Sequence, residues 1–372
     1  MGRRVMLAPN PLDIECANDQ SFTVPELPWD VHVSLDEGAL GALADASRAI
    51  GLLEGARRAA VPVWAGEHAL AVVEAWSCVR VAGMAARWVD VEREFADDGL
   101  RWARPTSGAG IAARLIGFHL GLSGFSPHWS LTGVIKNELH TGEFVSPRFR
   151  HDLETGLPDW LANGKGSGLV KAALATMSIA AAMPESRDVA MCARALFPHL
   201  LFHARGSTMR VPISQGFLDF KDDWNTVATA LAHDDGYDEE TVNRALEVFM
   251  RAVERAAVAA AHQVESVTYN DRRIATEHAD WFATASAPII RVFYTVSALP
   301  CGTRKQLEEL TGHSTRSVNR AVRELSERGI VRVQGQVRGE RDYAVFARPR
   351  QVPWPEAASR YPSVSAADEG QR

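Results

Sequence analysis

Residues 314 to 323 read Ser314, Thr315, Arg316, Ser317, Val318, Asn319, Arg320, Ala321, Val322, Arg323. Three guanidiniums, one carboxamide and three hydroxyls fall within ten positions, and these are the groups proteins aim at phosphate oxygens and base edges. Arginine can chelate N7 and O6 of guanine and asparagine the N6 and N7 edge of adenine, while hydroxyls and further arginines hold the sugar-phosphate backbone. Val318, Val322 and Leu325 recur at i, i+4 and i+7. If the stretch is helical, they take one side and leave the polar set together on the other. Arg338 and Arg341 add cations a short way downstream.

The remaining candidates for chemistry are weaker. His199 and His203 have the i, i+4 spacing of two metal ligands, but Leu200 stands where a metalloprotease helix carries glutamate and no third ligand follows. Asn163-Gly164-Lys165-Gly166-Ser167-Gly168 has glycines and a lysine without the P-loop spacing or a preceding strand, so it reads as a linker with Ser167 near a helix start. Asp222-Asp223 and His233-Asp234-Asp235 read as solvated acidic turns, and no Gly-x-Ser-x-Gly elbow occurs. Cys78 and Cys192 lie in apolar helical patterns rather than beside cations. No catalytic residue, metal ligand or cofactor is assigned.

The elements that would carry the arginines are marked by their caps. An apolar helix begins at Pro288-Ile289-Ile290 and ends near Leu299-Pro300. Thr303 and Gln306 form a capping box for a short helix with Leu307 and Leu310 on its buried side, and Gly312 stops it. Ser314 caps the next helix and Gly329 ends it. Ile330–Val333 and Tyr343–Phe346 read as two strands around a tip from Gly335 to Gly339, which holds Arg338. This order over 287–348 is a winged helix-turn-helix, whose second helix enters the major groove and whose wing suits phosphates. Ser314, Thr315, Arg316, Ser317, Asn319, Arg320, Arg323, Arg338 and Arg341 are its expected DNA-binding residues.

Charge supports that expectation. The chain of 372 residues has a net charge of −6, yet residues 303–350 hold eleven Lys/Arg against six Asp/Glu, a net of +5 that leaves −11 on the rest. A basic segment on an acidic body suits a polyanionic partner. Residues 1–36, with Pro9, Pro11, Pro25 and Pro28, read as an extended arm, and 349–372 as a disordered tail. Between them helical periodicity predicts helices at Glu37–Leu53, Gly66–Phe95, Gly108–His119, Ser167–Ala182, Val189–His203, Trp224–Ala232, Glu239–Val267 and Arg273–Ala285. No apolar run is long enough to span a membrane, and the N-terminus has no signal-peptide core. Scattered cysteines (Cys16, Cys78, Cys192, Cys301) suggest no disulfide framework, so a cytoplasmic location is expected.

The body has a resemblance to a known family. Leu27-Pro28, the run Ala44-Asp45-Ala46-Ser47-Arg48-Ala49-Ile50-Gly51-Leu52-Leu53-Glu54-Gly55, the run Glu74-Ala75-Trp76-Ser77-Cys78-Val79-Arg80-Val81-Ala82-Gly83 and the run Leu169-Val170-Lys171-Ala172-Ala173-Leu174-Ala175 occur in this order. Together they resemble the N-terminal segment, the inhibitory helix and the helix before the catalytic loop of the Fic family. Typical members transfer AMP from ATP to target hydroxyls, and they often end in a winged helix. The resemblance fails at the catalytic motif, H-P-F-x-(D/E)-G-N-G-R-x-x-R. Here Met183 stands for the general-base histidine and Arg187 for the metal-holding acid. Asp188, Val189 and Ala190 replace the phosphate-cradling glycines and asparagine, and Met191 replaces the first arginine; only Pro184 and Arg194 remain. The inhibitory glutamate falls on Ala82. The resemblance therefore implies a body without transferase chemistry. An unpaired buried Arg194 would be costly, so it is expected to pair with Glu74 or Glu185, or to bind an anion.

The expected protein is mainly α, with a Fic-like helical bundle at 37–286 and a winged helix-turn-helix at 287–348. Its expected role is DNA-binding regulation, the body serving as a dimerisation or signal-input module. The expected partners are double-stranded DNA and a second copy of the chain. A divergent nucleotidyl transferase and an antitoxin-like protein partner are the alternatives.

Overall fold

The computed structural model describes residues 34–60, 62–96, 107–120, 157, 159–163, 167–181, 187–205, 210–232, 238–299, 301–335 and 343–347. The N-terminal arm to residue 33, the tail from 349, Met183 to Ser186, Arg338 and Arg341 lie outside them. The protein is mainly helical: α1 (Glu37–Ala59), α2 (Val63–Val81), α3 (Trp88–Ala96), α4 (Gly108–Leu120), α5 (Gly168–Ala181), α6 (Arg187–Arg205), α7 (Ile213–Phe217), α8 (Lys221–Ala232), α9 (Glu239–Glu277), α10 (Ala279–Phe282) and α11 (Ala287–Ser297). β1 (Gly302–Thr303), α12 (Arg304–Thr311), α13 (Thr315–Glu327), β2 (Val331–Gly335) and β3 (Tyr343–Ala347) complete it. No helix among the described residues is long and apolar enough to cross a membrane.

The chain forms two compact units. The first takes in residues up to Ser47, Pro127–Met209 and Gly216–Glu254. Here α5 packs along α6, and Phe197, Phe217, Trp224 and Phe249 form an aromatic cluster with ring centroids 4.6 to 5.9 Å apart. Gly216 lets α7 approach α9 closely, since a Cβ there would sit 1.9 Å from the Ala252 carbonyl oxygen. Met191 and Arg194 are both buried on α6.

The second unit takes in Arg48–Ser126, Arg210–Gln215 and the chain from Arg255. Two helix expectations are corrected in it. The expected single helix from Gly66 to Phe95 is broken into α2 and α3. Gly83 adopts φ 74°, and the Gly83 and Met84 N–H groups bond back to the carbonyls of Arg80 and Val79. That is a Schellman stop, which glycine takes without steric cost. Conversely, the two helices expected at Glu239–Val267 and Arg273–Ala285 are one 39-residue helix to Glu277, followed by the short α10. Burial continues through Val264, Val267, Asp271 and Ile274. A buried carboxyl at a core position hides the helical period from the sequence.

At the end of this unit β1, β3 and β2 form an antiparallel sheet in that order, with Val345 paired to both Gly302 and Val333. Under it lies a core of Ile289, Val292, Phe293 and Val296 from α11, Leu307 from α12, and Val318, Val322 and Leu325 from α13. Each such side chain contributes roughly 1.5 to 3 kcal/mol by leaving water. β1 was not foreseen, because two residues are too few to show alternation.

Candidate nucleic-acid interface

The caps that fix the polar helix stand as the sequence suggests. Thr303 Oγ1 accepts from Gln306 N–H while Gln306 Oε1 accepts from Thr303 N–H at 2.8 Å, a complete capping box. The other end of the Gln306 carboxamide donates to the Phe95 carbonyl at 2.8 Å, and Cys301 Sγ donates to the Glu92 carbonyl at 3.6 Å. These two bonds seat the start of α12 on α3. Gly312, at φ 68°, ends α12. Ser314 then caps α13, its hydroxyl accepting from Ser317 N–H. At the far end Gly329 has φ 70°, and the Gly329 and Ile330 N–H groups bond to the carbonyls of Ser326 and Leu325. This stop turns the chain into β2.

Between those caps α13 divides cleanly. Val318, Ala321, Val322 and Leu325 are buried. Ser314, Thr315, Arg316, Asn319, Arg320 and Arg323 are exposed, and Ser317 is half-buried. Thr315, Arg316, Asn319, Arg320, Arg323 and Glu324 border one open concavity. Arg332, exposed on β2, adds a cation that the sequence analysis left without a role, though its place on an expected wing strand was the available signal.

The charges on α13 run against what the helix itself would prefer. A helix favours acids in its first turn and bases in its last, by roughly 0.3 to 1 kcal/mol each. Here the first turn holds no acid and carries Arg316, and the last turn holds no base. The ion pairs share this reversal. Arg320 Nε meets Glu324 Oε1 at 2.9 Å and Arg323 Nε meets Glu327 Oε1 at 3.9 Å. In both the base lies N-terminal to the acid, the weaker of the two i, i+4 orders. Arg316 has no carboxylate at i±3 or i±4 in the sequence. The N-terminal half of α13 thus presents Arg316 and Arg320, both exposed, at the positive end of the helix dipole.

Arg328 stands apart from this face. Its guanidinium lies 4.2 Å over the Trp281 ring and donates to the Glu324 carbonyl at 3.1 Å. That contact holds the C-terminal end of α13 to α10.

The other sequence candidates fall elsewhere. Glu74 is buried and accepts from the Ser214 N–H at 2.9 Å and hydroxyl at 2.6 Å. Arg194 belongs to the other unit and interacts with the protein around it, while Glu185 lies outside the described residues. Arg187 opens α6. Among the described residues no three His, Cys, Asp or Glu side chains are grouped as metal ligands.

No protein-family model and no curated protein matches this chain.

Proposed function

We propose that residues 287–348 are a winged helix-turn-helix that binds double-stranded DNA, with α13 in the major groove and β2 and β3 forming the wing. One observation carries this reading: the charge order on α13. A helix that places Arg316 and Arg320 in its N-terminal half and Glu324 and Glu327 in its last turn forgoes dipole and pair stabilisation. The order becomes favourable when a polyanion lies against the N-terminal half, where helix dipole and guanidiniums act together. Arg316, Asn319 and Arg320 take the base edges; Thr315, Ser317 and Arg323, with the wing cations Arg332, Arg338 and Arg341, take phosphates. Arg316→Ala tested on selected and random duplexes checks this: a base-edge contact predicts a selective loss, and unchanged binding to both refutes it.

The helical remainder is, on this reading, a Fic-like body that does no transfer chemistry and pairs two copies of the chain for two half-sites. Met191 supports the loss of chemistry, since the side chain in place of the motif's first arginine is core rather than ligand. Incubation with labelled ATP and magnesium should leave the protein unlabelled. Label that disappears in Arg194→Ala would contradict it.

A further inference from the structure

Four segments distant in sequence bring basic side chains together in the second unit. Arg57 from α1 and Arg210 from the segment leading into α7 both approach Glu67 of α2; Arg57 forms an ion pair with Oε1, and Arg210 Nε lies 3.8 Å from Oε2. Next to Glu67 on α2 is His68, whose ring is 5.3 Å from that of Trp64, one turn earlier. Arg291 of α11 lies over Trp64 at 5.1 Å, and the Tyr294 ring stands edge-on to Trp64 at 6.4 Å. Arg57 and Arg210 therefore share one carboxylate, and Arg291 stands with Arg210 beside the neighbouring His68.

His68 adds none, because burial, reinforced by Arg210 and Arg291, holds its imidazole down to about 4. Burial likewise pushes Glu67 up against the pull of Arg57 and Arg210. The buried atoms without hydrogen-bond partners among the described residues include Arg210 Nη1 and His68 Nδ1. A buried guanidinium donor left unbonded is costly. The group is nevertheless open to solutes, since the Arg210 side chain keeps 28% of its surface and Arg57 20%.

We infer that this group of side chains binds a small oxyanion, a phosphate or carboxylate group that meets the Arg210 guanidinium and balances Arg210 and Arg291. Planar guanidiniums suit both kinds of oxygen pair.

The test is titration calorimetry of the full chain with inorganic phosphate and, separately, with acetate, in chloride of matched ionic strength. Saturable heat with phosphate alone assigns the site to phosphate groups, and with acetate alone to carboxylates. Arg210→Gln should weaken binding about tenfold or more. Arg291→Gln, at an exposed position where folding is not at risk, should weaken it by a smaller factor. Glu67→Gln should act in the opposite sense and tighten binding several-fold, a gain that a purely structural role would not produce. Arg316→Gln, on the face proposed for DNA, should leave anion binding unchanged. The inference is overturned if neither anion exceeds chloride, if Glu67→Gln weakens binding, or if Arg316→Gln rather than Arg210→Gln abolishes it.

Discussion

Glu324 holds Arg320 at 2.9 Å through a pair in which the arginine side chain remains 68% exposed, and Glu324→Gln takes that hold away. An exposed i, i+4 pair is worth about 0.3 to 0.5 kcal/mol, and the base-first order puts this one at the weak end. A guanidinium chelating a base edge is worth roughly 1 to 3 kcal/mol. On the proposed function the duplex should win Arg320 from Glu324, the wild type giving up only the smaller term on binding. Removing the carboxylate should tighten duplex binding about twofold, since release no longer costs those few tenths. It should also lower folding stability by a similar few tenths. Arg320→Ala should weaken binding about 5- to 150-fold. Anisotropy of a labelled duplex across a salt series reads both. The gain in Glu324→Gln should shrink as salt screens the pair. If Glu324→Gln weakens binding, or if Arg320→Ala leaves it unchanged, Arg320 is not at the interface and the assignment of this face is wrong.

Burial raises the Asp271 carboxyl from 3.8 to about 7, against a hydrogen bond with Ser297 that acts the other way. Its neutral form is favoured in the folded state, so the stability it brings is complete below about pH 4 and lost as pH rises through about 7. Asp271→Asn should flatten that slope and be more stable than wild type by roughly 4 kcal/mol above it, as read by urea denaturation from pH 5 to 8; parallel pH profiles would show that Asp271 is not the titrating group. Thr303→Ala removes one half of the capping box and should cost about 1 kcal/mol in the same assay, and a neutral result would mean that the α12 cap contributes nothing to the fold.

The elements around α13 were legible because each is bounded by a residue with a local physical meaning. Thr303, Gln306, Ser314, Gly312 and Gly329 cap or stop helices through bonds within a few residues, and the valine spacing of α13 states its buried face. The same logic fails at Gly83, a glycine inside a long helical pattern whose positive φ of 74° leaves no mark in the sequence. It fails again at Asp271, where a carboxyl in the core breaks the apolar period of a helix that runs on. The cluster of Arg57, Glu67, His68, Arg210 and Arg291 had no sequence signal at all. Its members come from positions up to 234 apart, and only tertiary packing joins them. Arg332 was visible as a strand cation, but its exposure had to come from the structure.

The central claim rests most directly on wild-type binding to duplex DNA measured as a function of salt. The account predicts binding at low salt whose logarithm falls linearly with the logarithm of salt concentration, with a slope of about 0.9 per phosphate contacted. The slope should drop by about one such unit when Arg323 is replaced by alanine. Absence of duplex binding at low salt, or binding indifferent to salt, would contradict it and make the exposed face of α13 a protein-docking surface.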